Sequence, residues 1–316
     1  MRPPWRDRRG AISRTRIVAL TATALPAAWM VHDWATGFFG PLPLIGLVYW
    51  SGVWAIAMIL LTLAVTPIRR LFGWTALNDA RRIIGVSALV YSIVHVVAFF
   101  ALDRWEWPRI ALETMTRPSL VVATASIVGL VALGTTSFDA AVRRLGAGRW
   151  SALHRLNYGI SALAIAHFLL SPGIFGLQYV VSGFLFWLLV WRLLPARGID
   201  RRPIVLALLS AAACLFTYLL QTGWLWVYQR VPPAETLAFT FSLDDEIAPP
   251  WQVLAAGLAV ALAAAVFRRG AILGHHPPGA HASPQASFGS RGHAVRKAVA
   301  FDDTSASPAS RGVLEP

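Results

Sequence analysis

Charge is what this chain has least of. Only 14% of its 316 residues are Asp, Glu, Lys or Arg, against 56% hydrophobic residues, and the mean hydropathy is +0.58. That composition excludes a soluble globular domain. Cysteine is almost missing too: Cys214 is the single one, so neither an intramolecular disulfide nor a CxxC metal site can form, and its apolar surroundings read as packing. No GxGxxG turn follows a strand pattern, and no segment outside the apolar runs is long enough for a nucleotide-binding fold. A complete NAD(P)H-dependent reductase or oxidase on one chain is therefore not expected. Internal repeats are lacking, as are the matched broken helices of a transporter.

The charge that is present is one-sided. The net charge is +13, but the arginines sit in short clusters between apolar runs, the pattern of cytoplasmic loops rather than of a nucleic-acid surface. Eight runs approach bilayer length: 17–34, 44–65, 83–102, 119–137, 152–171, 174–194, 203–226 and 250–267. The first is interrupted by Pro26, His32 and Asp33, and its Arg-rich approach resembles a signal peptide, but no small-x-small cleavage site follows and a retained helix is expected.

Arginines crowd the N-terminus, the loops holding Arg69, Arg70, Arg81 and Arg82, then Arg143, Arg144 and Arg149, then Arg192, Arg197, Arg201 and Arg202, and the Arg268-Arg269 end. The alternate loops are uncharged (35–43) or mixed, with Arg104, Arg109 and Arg117 set against Asp103, Glu106 and Glu113. This alternation predicts an all-α polytopic bundle of eight spans with both termini cytoplasmic. Residues 1–16 form a basic cytoplasmic N-terminus. Residues 270–316, rich in Pro, Gly, Ala and Ser, read as a disordered cytoplasmic tail, on which His275, His276, His281 and His293 have no fixed geometry.

Three histidines, His95, His154 and His167, fall in hydrocarbon-length stretches. An ionisable group at membrane depth is costly and marks function, and neutral imidazole is the commonest ligand for a buried metal or heme iron. The plainer reading of each is a polar residue bonded to a neighbouring carbonyl. From Arg82 to His95 the chain climbs roughly 20 Å at 1.5 Å per residue. His167 reaches about the same depth from Arg149 and Trp150, so His95 and His167 are level, the arrangement that clamps a heme between two helices. His154, 13 residues before His167, lies near the cytoplasmic boundary and points roughly 140° away on a continuous helix. It faces Arg81 and Arg82 rather than a histidine.

The stretches TPIRRLFGW, ARRIIGVSALVYSIVH, TRPSLVV and TTSFDAAVRRLGAGRWSALHRLNYGISALAIAH resemble the heme-binding membrane subunits of bacterial periplasmic methionine-sulfoxide reductase systems. These belong to the ferric reductase-like transmembrane superfamily, which also holds the NADPH oxidases. The likeness is best over 66–170 and extends over 17–195. It implies a six-helix b-type cytochrome of the bacterial inner membrane, with one or two hemes b held at His95, His154 and His167.

The resemblance further implies electrons from a cytoplasmic flavin reductase or the quinol pool, and a periplasmic molybdenum-dependent reductase as acceptor. FMN and a quinone are further cofactors it brings, with no residues assignable to FMN. Arg81, Arg82, Arg149 and Arg155 are candidates to pair with heme propionates or a flavin phosphate, since guanidinium forks suit such anions; read plainly, they are positive-inside signals.

Two departures stand out. Tyr49, in LVYWSG, occupies a place where related proteins often carry histidine, so no ligand role passes to it. The pair of spans over 203–267 lies beyond the family's usual end, and Trp224, Trp226 and Tyr228 at its outer end read as an interfacial belt. The alternatives are a stand-alone ferric reductase-like oxidoreductase and a non-redox membrane scaffold or transporter.

Overall fold

The computed structural model describes Trp5 and residues 10–171, 176–196, 198–242 and 247–273. Among the described residues there is no β-strand. Helices stand at all eight expected places: α1 (Arg14–Ala35), α2 (Pro43–Phe72), α3 (Leu77–Leu102), α5 (Pro118–Thr135), α8 (Asn157–Leu170), α9 (Leu177–Leu193), α10 (Pro203–Trp224) and α12 (Pro249–Leu273). Four short helices fill connections: α4 (Trp107–Thr116), α6 (Asp139–Leu145), α7 (Ala147–His154) and α11 (Pro233–Phe241). Five helices, counting α10 with the π-helical turn Leu225–Gln229 that prolongs it, are long and apolar enough to cross a membrane by themselves, and α9 is a shorter apolar helix. The chain is a multi-pass, all-α membrane protein.

Local chemistry sets the starts. Proline stands in the first turn of α2, α4, α5, α10 and α11, where its missing N–H costs nothing and its fixed φ suits a helix. Ser13 caps α1 by accepting from the Arg16 backbone N–H, and α2 ends on Gly73 at φ 69°, a left-handed stop.

Helix α2 is the shared wall of two cores. Ala55, Met58 and Ile59 pack with Met30 of α1, Ala88 and Tyr91 of α3, Leu130 and Leu133 of α5 and Ile160 of α8. Ile56, Leu60 and Leu63 pack with α8, α9, α10 and α12 through Phe168, Leu185, Trp191, Leu206 and Val253. The last two long helices are thus built into the bundle and not appended to it.

The arginine-rich ends meet at one end of the bundle. Arg70 pairs with Asp200 at 3.6 Å, Phe72 meets Phe267 edge-on, Arg268 donates to the Arg201 carbonyl at 3.3 Å, and Arg82 pairs with Asp139 at 2.8 Å. At the other end, the mixed charges of the 103–118 connection pair locally: Arg109 with Asp103 and Glu113, and Arg117 with Glu113.

Three boundaries differ from the sequence reading. The run expected as one helix over 152–171 is split into α7 and α8, because the Arg155, Leu156 and Tyr158 N–H groups bond three residues back and tighten the chain. The 103–118 loop contains α4. Helix α12 runs to Leu273, beyond the expected 267, so residues 270–273 of the tail expected to be disordered are helical; the rest of that tail, from 274 on, lies outside the described residues.

Close packing between α10 and α12 depends on Gly257. A Cβ there would sit 2.6 Å from the Ser210 Cβ, and Ser210 itself accepts from the Trp187 indole at 3.2 Å. Gly257→Ala is expected to cost roughly 1–3 kcal/mol through overpacking, read as a lowered thermal midpoint of the detergent-solubilised protein. Gly223→Ala, where a Cβ meets nothing within 4 Å, is expected to stay within about 0.5 kcal/mol of wild type.

Candidate heme-ligand site

His95 lies seven residues before the end of α3 and His167 three before the end of α8, both toward the end of the bundle opposite the Arg70–Asp200 pair. The structure brings them together: their ring centroids are 6.1 Å apart and the planes cross at 73°. Each imidazole is aimed by a carbonyl of a different helix. His95 Nδ1 lies 2.7 Å from the Val48 carbonyl of α2, and His167 Nδ1 lies 3.0 Å from the Ser119 carbonyl at the start of α5.

A carbonyl only accepts, so each Nδ1 donates to it, and in a neutral imidazole so tied Nε2 is the nitrogen that keeps a lone pair. The plain reading of a membrane histidine, a polar group bonded to a neighbouring carbonyl, accounts for one nitrogen of each ring and leaves the other as a base. A tie of this kind is also what orients a ligating histidine and raises its basicity.

The spacing tests what the pair can hold. A ligating imidazole nitrogen lies about 2 Å from a transition metal and the ring centre roughly 1 Å behind it, so two rings sharing one ion from opposite sides have centres roughly 6 Å apart. The observed separation fits. Among the described residues no group of three or more His, Cys, Asp or Glu is placed to hold a metal, so a three- or four-ligand protein cage is not built here. Two imidazoles at this spacing suit an iron whose remaining ligands come with a macrocycle.

Gly52 of α2 makes the approach possible. A Cβ at that position would fall 2.9 Å from His95 Nδ1 and 3.0 Å from its Cε1. Neither Gly52 nor the two carbonyls were signalled by the sequence: glycine is common in membrane helices, and every residue has a carbonyl. Arg192 was noted only as a loop charge, yet its guanidinium turns into the bundle, donating from Nη1 to the Leu188 carbonyl at 2.7 Å and from Nη2 to the Leu63 carbonyl.

The other expected residues lie apart from the pair. His154 ends α7, stacks on Trp150 with centroids 4.0 Å apart, and has Nε2 3.4 Å from Thr136 Oγ1. Because α7 and α8 are separate helices, the 140° relation between His154 and His167 on one continuous helix does not apply. Arg81 and Arg82 act electrostatically on His154, and Arg82 is engaged by Asp139. Arg149 and Arg155 are exposed. Tyr49 packs against the neighbouring Trp50 at 5.2 Å.

Residues 51–165 match the family model described as ferric reductase like transmembrane component. Three curated relatives are each named protein-methionine-sulfoxide reductase heme-binding subunit MsrQ. The protein from Rhodospirillum rubrum is 35% identical over 193 residues, which is 60% of this chain and 90% of the relative. That from Azospira oryzae is 33% identical over 50% of this chain and 68% of the relative, and that from Brucella anthropi is 34% identical over 57% and 82%. No solved structure matches the chain. With its helices in place and a relative matched over nine tenths of that relative's length, the chain belongs to the MsrQ family of ferric reductase-like membrane proteins.

Proposed function

We propose that this protein is the heme-carrying electron-transfer subunit of a methionine-sulfoxide reductase system, with His95 and His167 as the residues that would hold one b-type heme. The observation that carries this reading is the pair of imidazoles 6.1 Å apart, each tied through Nδ1 and each with a free Nε2. The names of the relatives support it, since they are described as heme-binding subunits of such a reductase.

Bound heme would supply a one-electron carrier. The chain's own residues do the rest. His95 and His167 would hold the iron. The Val48 and Ser119 carbonyls fix the ring rotations and make the imidazoles more electron-rich. The surrounding apolar helices limit water, which with ligation sets the potential. Electrons pass one at a time, and no residue here bonds to the final substrate.

In this reading both termini are cytoplasmic, in the inner membrane of a bacterium, and the His95–His167 pair lies toward the periplasm, where a molybdenum-dependent reductase takes the electrons. The donor is a cytoplasmic flavin reductase or quinol. His154, at the arginine-rich end, belongs to a second, cytoplasmic-side centre.

His95→Ala and His167→Ala are each expected to abolish the reduced-minus-oxidised b-type bands of the periplasmic-side heme, while His154→Ala leaves those bands and alters a different component. Wild-type protein without b-type bands after expression with ample heme would overturn the reading, and three variants losing identical components would overturn the separation of two centres. Gly52→Ala, by displacing the His95 ring, is expected to lower the heme retained on purification severalfold. Gly159→Ala, with nothing within 4 Å of its added Cβ, is expected to retain wild-type heme content.

A further inference from the structure

Among the described residues Arg192 has no carboxylate in ion-pair range. It is the next-to-last residue of α9, where a membrane arginine ordinarily extends its side chain outward to water. Here the guanidinium reaches the other way. Nη1 donates to the Leu188 carbonyl one turn back, Nη2 donates to the Leu63 carbonyl of α2, and Cζ lies 5.3 Å over the Tyr158 ring of α8. Leu63 is fully buried and nine residues inside the end of α2, about 13 Å along the axis.

Every one of these partners is neutral. Among the described residues no carboxylate lies within ion-pair distance of Arg192, although the same end of the bundle provides one for Arg70: Asp200, 1% exposed and 3.6 Å away. Arg70 and Arg81 also lie near enough to repel Arg192 electrostatically. Among the described residues the fold therefore gathers Arg70, Arg81 and Arg192 near one another, with Asp200 on Arg70 the one acid in ion-pair range of the three. A partly buried cation in that setting is stabilised by an anion. A guanidinium has five N–H donors in a planar fork, so two carbonyls leave donors for a carboxylate or phosphate.

Resting on the second, cytoplasmic-side centre of the reading above, we propose that Arg192 is the protein's half of an ion pair whose other half arrives with the redox cofactor bound at that end of the bundle, as an anionic carboxylate or phosphate. The propionate of a heme and the phosphate of a flavin mononucleotide share that chemistry. Arg192, rather than the exposed Arg149 and Arg155, is the anchoring residue.

The test uses the full chain in lipid nanodiscs, prepared under heme limitation and titrated in two arms: heme against its dimethyl ester, and FMN against riboflavin. In one arm the wild type is expected to favour the charged form by about tenfold or more, as a charge-assisted hydrogen bond provides. Arg192→Gln is expected to bring that ratio close to one, with Arg192→Lys retaining part of it.

Equal binding of charged and neutral forms by the wild type in both arms overturns the proposal whether or not the Gln variant folds, as does a Gln variant that folds and keeps the wild-type ratio. Failure to bind heme or its ester at all counts against the heme reading, and the flavin arm then decides on Arg192 independently.

Discussion

The hydrogen bond between the His95 imidazole and the Val48 carbonyl is the contact around which the histidine-bearing half of the bundle is arranged. In a low-dielectric interior such a bond is electrostatically strong and its loss leaves a costly unpaired group. It joins α3 to α2, fixes which ring nitrogen keeps its lone pair, and requires the two helices to approach so closely that only glycine fits at position 52. The matching bond from His167 to Ser119 does the same for α8 and α5. Four helices are thus registered by two imidazoles.

Helix α2 extends that registration to the rest of the molecule. Its two buried faces serve two hydrophobic cores, so a shift of α2 would disturb both the histidine pair and the packing of α9, α10 and α12. The added helices brace α2 from behind. At the arginine-rich end the Arg70–Asp200 pair, with the Trp191 indole donating to the Asp200 carbonyl at 3.0 Å, ties the turn before α10 to the end of α2. The two ends of the bundle differ: the His95–His167 pair lies toward one, with the locally paired charges of the 103–118 connection, and the Arg70–Asp200 pair and His154 lie at the other.

Much of this architecture was legible in the sequence because a bilayer imposes length and charge rules on every segment. A helix stands at each of the eight apolar runs, the run 152–171 being divided between α7 and α8, and Arg70, Arg201 and Arg268 meet at one end. The break before α8 was not legible: WSALHRLNYGISALAIAH contains no proline, and its tightening depends on backbone bonds with a shorter spacing. The short helix α4 was missed for a related reason, because ten residues carrying mixed charge look like a loop when length is the criterion.

What the sequence determined by itself was membrane class, helix positions, charge asymmetry and the three histidines worth attention, since these follow from composition and from distance along the chain. What only the tertiary structure decided was who meets whom. His95 and His167 face each other while His154 stacks on Trp150, and Arg192 reaches inward while Arg149 stays exposed. Axial position along a helix is a count of residues, but rotation, tilt and the approach of one helix to another are set by packing across the bundle, and no single segment contains that information.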